Sequence, residues 1–153
     1  GCLPDSLVPC ERGHVTGKYP PCTGQTKTPT CSQKCSQSYP TSYLEDKHKA
    51  AEWYTLMGNK SIMWELFNHG PVTANLMVYS DFLSYKSGIY HHVTGEFVGH
   101  HSVKILGWGV ESGVQYWTVA NSWTKDWGDH GFVKIRKGCC MIEGYVATGL
   151  PAT

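Results

Sequence analysis

The sequence is poor in charge, and it lacks the features of two large classes of protein. Only 16% of its 153 residues are charged, and the formal net charge is +1 with the histidines neutral. No run of lysine and arginine reaches five residues, so the basic patch typical of nucleic-acid-binding proteins is missing from the sequence. No apolar stretch approaches the roughly 18 residues that cross a bilayer. The sequence therefore predicts neither a nucleic-acid partner nor a membrane span.

The N-terminus also lacks the pattern of a secretory signal peptide. Residues 1–5 have neither a basic start nor an apolar run. We therefore expect a mature or truncated product. Its length fits one domain or a large part of one, and an aromatic content of 12% makes a packed core more plausible than wholesale disorder.

The cysteines are unevenly distributed. Five of the seven fall among prolines, glycines and threonines in the first 35 residues: Cys2, Cys10, Cys22, Cys31 and Cys35. Such a segment buries little apolar surface, so disulfides are the expected source of its order, and they indicate an oxidising compartment. Because seven is odd, at least one thiol is free or pairs outside the chain. The alternative is a zinc site built on Cys31 and Cys35 with an earlier cysteine, although these spacings fit no standard zinc module.

Residues 1–43 are predicted to be loop, because their prolines break helices and central strands. Residues 44–57 are ambiguous: the segment 50–52 favours a helix, and the segment 53–55 favours a strand. A helix is predicted over 61–69, started by Asn59 or Ser61 and ended by the Gly-Pro pair at 70–71. Its buried face is expected to contain four residues: Ile62, Met63, Leu66 and Phe67.

The segment Asn59-Lys60-Ser61 is also an N-glycosylation sequon, and it predicts a glycan at Asn59 if the protein is secretory. After the predicted helix, strand patterns dominate. They cover residues 72–78, 102–108, 115–120, 131–136 and 145–148, with glycines between them. Short strands with glycine-marked turns indicate an antiparallel sheet or barrel. The predicted class is α+β with β in the majority.

Two segments carry candidate chemistry. In the first, His100 and His101 directly precede an alternating apolar strand. In the second, twenty residues later, Asn121 stands among three tryptophans, whose apolar wall would shield an amide hydrogen bond from water. Adjacent strands of a hairpin can bring His101 and Asn121 together. Taken singly, a histidine at such a position is more often a solvated or core residue than a catalyst. Tryptophans in such a segment are more often core residues than parts of a site.

Together these segments resemble the papain family of cysteine peptidases. That family has a Gly-x-His-Ala strand, followed by Tyr-Trp-x-x-x-Asn-Ser-Trp-x-x-x-Trp-Gly-x-x-Gly-Phe, which here occupies residues 116–132. Residues 10–35 narrow the likeness to cathepsin B, because they resemble its occluding-loop region, and residues 78–90 are also close to that enzyme. The resemblance covers the whole chain but only the C-terminal portion of the family enzyme.

The fold that this resemblance implies is the antiparallel barrel-like half of the papain-like fold, with one short helix and a disulfide-rich N-terminal loop segment. Residues 1–43 would form that segment and include the occluding loop 10–22, and residues 44–153 would form the barrel-like domain. Two disulfides are implied, Cys2–Cys35 and Cys10–Cys22. Cys31 matches a cysteine that pairs upstream in the family, Cys140 matches another family cysteine, and Cys139 has no counterpart.

The resemblance also implies catalytic roles. His101 would keep a cysteine thiolate ionised and then protonate the leaving amine. Asn121 would accept a hydrogen bond from the imidazole and fix its tautomer, beneath the covering ring of Trp123. The nucleophile's Cys-Gly-Ser-Cys-Trp setting lies upstream in the family, and this sequence contains no such motif. The implied partner is therefore a missing N-terminal segment or light chain that carries the nucleophilic cysteine.

Four residues are implied to contact substrate: His14, His100, Ser102 and Tyr145. His14 matches the second of two adjacent histidines that bind a substrate's terminal carboxylate in the occluding loop, and the first is lost here. His100 replaces a glycine, so its side chain would crowd the cleft. Tyr145 falls where mammalian cathepsin B has a glutamate at the floor of the S2 pocket, and Ser102 directly follows His101.

The implied activity is that of a cysteine-type endopeptidase and dipeptidyl carboxypeptidase, without cofactor or metal. Peptides and proteins would be substrates, cystatin-like inhibitors are candidate partners, and the expected location is lysosomal, endosomal or secreted. Two alternatives stay open. One is a catalytically inactive secreted binding module with the same fold, and the other is a metal-binding protein that uses His91, His92, His100 and His101. A Cys-Gly-Ser-Cys-Trp segment upstream or in a partner chain would exclude the binding module.

Overall fold

The computed structural model of the chain describes residues 2–3, 7, 9–12, 18–23 and 27–152. Within these residues the elements, in chain order, are β1 (Ala50–Leu56), α1 (Asn59–Asn68), β2 (Val72–Tyr79), β3 (Ile89–Tyr90), β4 (Phe97–Glu111), β5 (Val114–Ala120), β6 (Phe132–Arg136) and β7 (Val146–Pro151). A 3-10 helix at Ser80–Ser84 follows β2. The β-majority α+β class is confirmed. No helix in the described part of the chain combines the length and the apolar character that a membrane crossing requires.

The strands form one sheet in the order β1-β7-β2-β4-β5-β6-β3. Neighbouring strands are antiparallel except β3 and β6, which run parallel. The antiparallel expectation therefore holds for every pair but one. Among the described residues the strand order leaves the sheet open, with β1 and β3 at its edges.

The core lies against one face of the sheet. In β2, Val72, Ala74, Leu76 and Val78 are buried, because every second side chain of a strand points to the same face. Thr73, Asn75 and Met77 therefore point to the other face. Residues of β2 and β4 that pair directly lie on the same face of the sheet. Each β4 residue is therefore on the core face or the opposite face according to its partner in β2.

Helix α1 packs its Ile62 and Leu66 side chains into this core. The prediction that Phe67 shares the buried face is wrong, because Phe67 is 81% exposed. A helix turns about 100° per residue, so Phe67 lies about 140° around the helix from Ile62. The prediction of a side-chain cap is also wrong. Gly58 is the N-cap and makes no side-chain cap bond, and the Ser61 hydroxyl donates to backbone carbonyls of the preceding turn instead.

The carboxylate of Glu65 ties α1 to two strands. Its side chain is 0% exposed, and it accepts hydrogen bonds from the hydroxyls of Tyr54 in β1 at 2.9 Å and Thr148 in β7 at 3.2 Å. The Nδ1 atom of His69 lies 3.0 Å from its second oxygen. The ambiguous segment 44–57 thus contains a strand, β1, which pairs with β7 and is linked to α1 through this carboxylate.

Disulfides join Cys2 to Cys35 and Cys10 to Cys22 in the N-terminal loops. A third disulfide joins Cys139 to its neighbour Cys140, and Cys31 carries a free, exposed thiol. Four of the cysteines considered for a zinc site are in disulfides and so cannot bind zinc as thiolates: Cys2, Cys10, Cys22 and Cys35. Within the described ranges, no three histidine, cysteine or acidic side chains are grouped to hold a metal ion.

Candidate active site

Strands β4 and β5 bring His101 and Asn121 together. His101 lies in β4, and Asn121 directly follows β5, whose last residue Ala120 pairs with Lys104. The two strands run antiparallel, so the end of β5 lies beside the first half of β4. The Nε2 atom of His101 is 2.8 Å from the Oδ1 atom of Asn121. This is hydrogen-bond distance.

The orientation of the Asn121 amide shows which ring nitrogen of His101 carries the proton. Asn121 Oδ1 also accepts the Ser122 backbone N–H at 2.8 Å. A backbone N–H only donates, so the atom that faces it must be the oxygen. The same oxygen faces His101, and Nε2 must therefore carry the proton that it donates. The other ring nitrogen of His101, Nδ1, is left to exchange a proton with a reacting group.

A tryptophan ring covers this hydrogen bond. Trp123 is 7% exposed, and its ring centroid lies 4.9 Å from that of the His101 imidazole, with the planes tilted by 30°. Phe82 and Trp127 support Trp123 at centroid distances of 5.5 Å and 5.2 Å. Water is therefore kept from one side of the His101–Asn121 bond, and a hydrogen bond in such surroundings is stronger than in water.

The environment of His101 holds its pKa below the usual value of 6.5. Burial is the largest cause, because it penalises the charged imidazolium. The hydrogen bond to Asn121 acts in the opposite direction, and the positive charge of Arg12 lowers the pKa further. An anionic group near Nδ1, such as a thiolate, would favour the charged form instead.

The loop closed by the Cys10–Cys22 disulfide reaches this site through Glu11, which the sequence analysis missed. Glu11 is 2% exposed. Its carboxylate accepts hydrogen bonds from the Thr124 hydroxyl at 3.0 Å and from the Tyr19 backbone N–H at 3.4 Å. These contacts join the loop to the chain just after Trp123. No periodicity or motif marks a single glutamate in a loop, so no sequence signal would have found it.

The next residue, Arg12, places its guanidinium carbon 5.9 Å from the centre of the Trp123 ring. This distance fits a cation–π contact, and it brings a permanent positive charge close to the imidazole. His14, which the sequence predicts to bind a carboxylate, lies outside the described residues.

Two cavities lie beside β4. Of the predicted substrate-binding residues, Ser102 lines the first, and His100 and Tyr145 line the second. The first, of about 600 Å³, is lined by Ser102, Asn121 and Ser122 among others. The second, of about 300 Å³, is lined by Asn75, Leu76, Met77, His100, Met141, Gly144 and Tyr145. His100 and His101 point to opposite faces of β4, since His101 pairs with Leu76 and His100 with Met77.

The metal-binding alternative uses the paired histidines at 91 and 92, and the structure shows His92 in contact with a carboxylate. Its Nδ1 atom lies 3.2 Å from both carboxylate oxygens of Asp81, and its ring stacks on Tyr79 with centroids 3.7 Å apart. Burial raises the pKa of Asp81, but hydrogen bonds from Val93, Tyr90 and others outweigh it and lower the pKa to about 2. His92 is thus committed to an internal carboxylate, which argues against the four-histidine metal hypothesis.

Comparison with known proteins identifies the family. The sequence matches the family described as papain family cysteine protease over residues 7–150. The chain belongs to this family. The resemblance seen in the sequence is confirmed.

Relatives and solved structures agree with this membership. The chain is 48% identical to the cathepsin B-like cysteine proteinase of Schistosoma japonicum, over 100% of this chain and 46% of that protein. It is 44% identical to the gut-specific cysteine proteinase of Caenorhabditis elegans, over 97% of this chain and 44% of that protein. A solved structure of procathepsin B S9 from Trypanosoma congolense matches 89% of this chain and 47% of its own, with a TM-score of 0.76 and 39% identity. The chain therefore spans less than half the length of these relatives.

Proposed function

We propose that this chain supplies the histidine and asparagine of a cathepsin B-like cysteine peptidase, with His101 and Asn121 in those roles. The observation that carries the proposal is the 2.8 Å contact between His101 Nε2 and Asn121 Oδ1, beneath the Trp123 ring. An imidazole that is oriented by an amide and protected from water has one nitrogen left for proton transfer. The names of the relatives, each a cysteine proteinase, support the same activity.

In the proposed reaction a cysteine thiolate attacks the peptide carbonyl carbon, and His101 protonates the nitrogen of the leaving amine. The resulting thioester is then hydrolysed by water, with His101 taking the proton. Asn121 keeps Nε2 protonated, so that Nδ1 faces the reaction. None of the seven cysteines of the chain stands in a Cys-Gly-Ser-Cys-Trp setting. The nucleophile in this proposal therefore comes from a segment or light chain outside these 153 residues.

The second cavity is proposed to hold the P2 side chain, that of the second residue on the N-terminal side of the cleaved bond. Tyr145 offers it a ring and a hydroxyl but no carboxylate. The acid closest to Tyr145 in the sequence, Glu143, accepts hydrogen bonds from the Trp117 indole N–H at 2.7 Å and the Gly138 backbone N–H at 2.8 Å. A guanidinium at P2 would thus lack a charged partner, and apolar or aromatic side chains are favoured.

Residues 1–43 are proposed to act as a separate loop segment, in which the loop 10–22 covers one end of the cleft. The contact of Glu11 with Thr124 supports this placement. His14 would then hold a terminal carboxylate and give dipeptidyl carboxypeptidase activity. The disulfides are consistent with a secretory or lysosomal route.

The test compares the complete protein with this chain alone, using fluorogenic peptide substrates. We expect the complete protein to cleave them and the 153-residue chain to be inactive. Turnover by the isolated chain would show that the nucleophile lies within it. A folded complete protein that binds peptides without cleaving them would replace the proposal by the inactive binding module.

A further inference from the structure

Asn75 presents an amide that the fold does not use. It lies in β2 on the face opposite the core, is half-buried, and lines the second cavity. Its Oδ1 atom is buried and has no hydrogen-bond partner among the residues that the structure describes. Buried side-chain polar atoms are usually paired. Because Asn75 lines the cavity, a polar group that enters it can supply the missing partner once the amide turns about its last side-chain bond.

The wall that carries Asn75 is firmly built. The backbone N–H of Asn75 donates to the carbonyl of Tyr145 at 3.0 Å, and that of Met77 donates to the carbonyl of Cys140 at 2.8 Å. These two bonds hold β2 beside the segment 140–145, which supplies Met141, Gly144 and Tyr145 to the lining. The amide and the Tyr145 side chain are thus placed at neighbouring positions of the same cavity.

The rest of the lining indicates which side chain the cavity accepts. Met77, Met141 and Tyr145 contribute thioether and aromatic surface. Thioethers and aromatic rings both pack well against an aromatic ring. A volume of about 300 Å³ is at the lower end for ligand sites, so the cavity suits one side chain. Its occupant is expected to be an aromatic ring with one hydrogen-bonding group.

We propose that Asn75 determines specificity by favouring tyrosine over phenylalanine at P2, which rests on the peptidase function proposed above. A phenol hydroxyl both donates and accepts, so it can pair with either end of the amide. Phenylalanine fills the same space and leaves the amide unpaired. The net value of one such hydrogen bond corresponds to a preference of about 2- to 10-fold.

The experiment measures kcat/KM of the complete protein on two substrates that differ only at P2, one with tyrosine and one with phenylalanine. We expect a ratio of about 2 to 10 in favour of tyrosine, falling to about 1 in Asn75→Leu and Asn75→Ala. Asn68→Ala is the matched control, because it removes an exposed amide at the end of α1. This control is expected to leave the ratio unchanged.

The outcomes separate the two proposals. If the unmodified protein cleaves neither substrate, the peptidase function fails and this inference fails with it. If both substrates are cleaved but phenylalanine is equal or preferred, the peptidase stands and the role of Asn75 is refuted. An unchanged preference for tyrosine in a folded Asn75 variant would also refute it. If both variants fail to fold, the ratio for the unmodified protein decides.

Discussion

Removing the Phe82 ring should weaken both the fold and the site that rests on it. Phe82 is fully buried in a cluster of three aromatic side chains. Its ring centroid lies 4.8 Å from that of Tyr90, 5.0 Å from Trp127 and 5.5 Å from Trp123. Phe82→Ala removes these contacts and leaves a cavity, which typically costs about 3–5 kcal/mol. Since natural domains are stable by only about 5–15 kcal/mol, the variant should fold but be marginal.

The same change should reach the chemistry through Trp123, whose ring lies between Phe82 and His101. Without its support, the Trp123 ring can shift and admit water to the bond between His101 and Asn121. Because a misplacement of about 1 Å can cost 10²-fold in rate, we expect kcat to fall at least about 10-fold. Phe82→Leu is the control, since it keeps most of the volume and should cost about 1.5 kcal/mol or less.

Both effects are measured on the complete protein. Urea unfolding at an unchanged m value gives the loss of stability, and kcat is taken at a temperature where each variant is folded. A loss of stability below about 1 kcal/mol would contradict the described packing. If Phe82→Ala lost the expected stability but matched the kcat of Phe82→Leu, the link from Phe82 through Trp123 to catalysis would be refuted.

Three further substitutions test the assignment of roles in the complete protein. His101→Ala should abolish peptide cleavage while His100→Gly leaves or improves it, because the two side chains point to opposite faces of β4. Asn121→Ala should lower kcat more than it raises KM, since the orientation of the imidazole matters mainly in the transition state. Tyr145→Glu should increase cleavage after Arg-Arg relative to Phe-Arg, because it adds a carboxylate to the second cavity.

Each of these has a contradicting result from steady-state kinetics. Activity lost in His100→Ala but kept in His101→Ala would reverse the assignment of the two histidines. An unchanged kcat in Asn121→Ala would make that residue structural. Equal rates on Arg-Arg and Phe-Arg substrates in the unmodified enzyme would mean that another acid, such as Glu143, reaches the pocket.

Much of the sheet could be predicted from the sequence because its strands alternate. In the segment 72–78 every second residue is a small or branched apolar one, and this pattern alone indicates a half-buried strand. The approach of His101 to Asn121 was also predicted, because their spacing and neighbours match a family pattern. The two-residue strand β3 was missed, since its strand character comes from pairing with β6 and not from a local pattern.

The remaining features depend on contacts between distant parts of the chain. Glu65 is a polar residue within a helix, and its burial is compensated by His69 together with Tyr54 of β1 and Thr148 of β7, two strands that are distant in the sequence. His92 is held by Asp81 across a loop, and the unpaired amide of Asn75 becomes apparent only when both walls of its cavity are in place. A sequence pattern predicts on which side of a helix or strand a residue lies. These features depend instead on which residues of distant segments contact it.

The most direct test of the central claim is to label the complete protein with an epoxide inhibitor of papain-like peptidases and map the adduct by peptide mass spectrometry. An epoxide reacts selectively with a cysteine that is activated as a thiolate. We expect one adduct, on a cysteine outside these 153 residues, which is lost in His101→Ala and kept in His100→Gly. An adduct on Cys31, Cys139 or Cys140, or labelling that does not depend on His101, would contradict it.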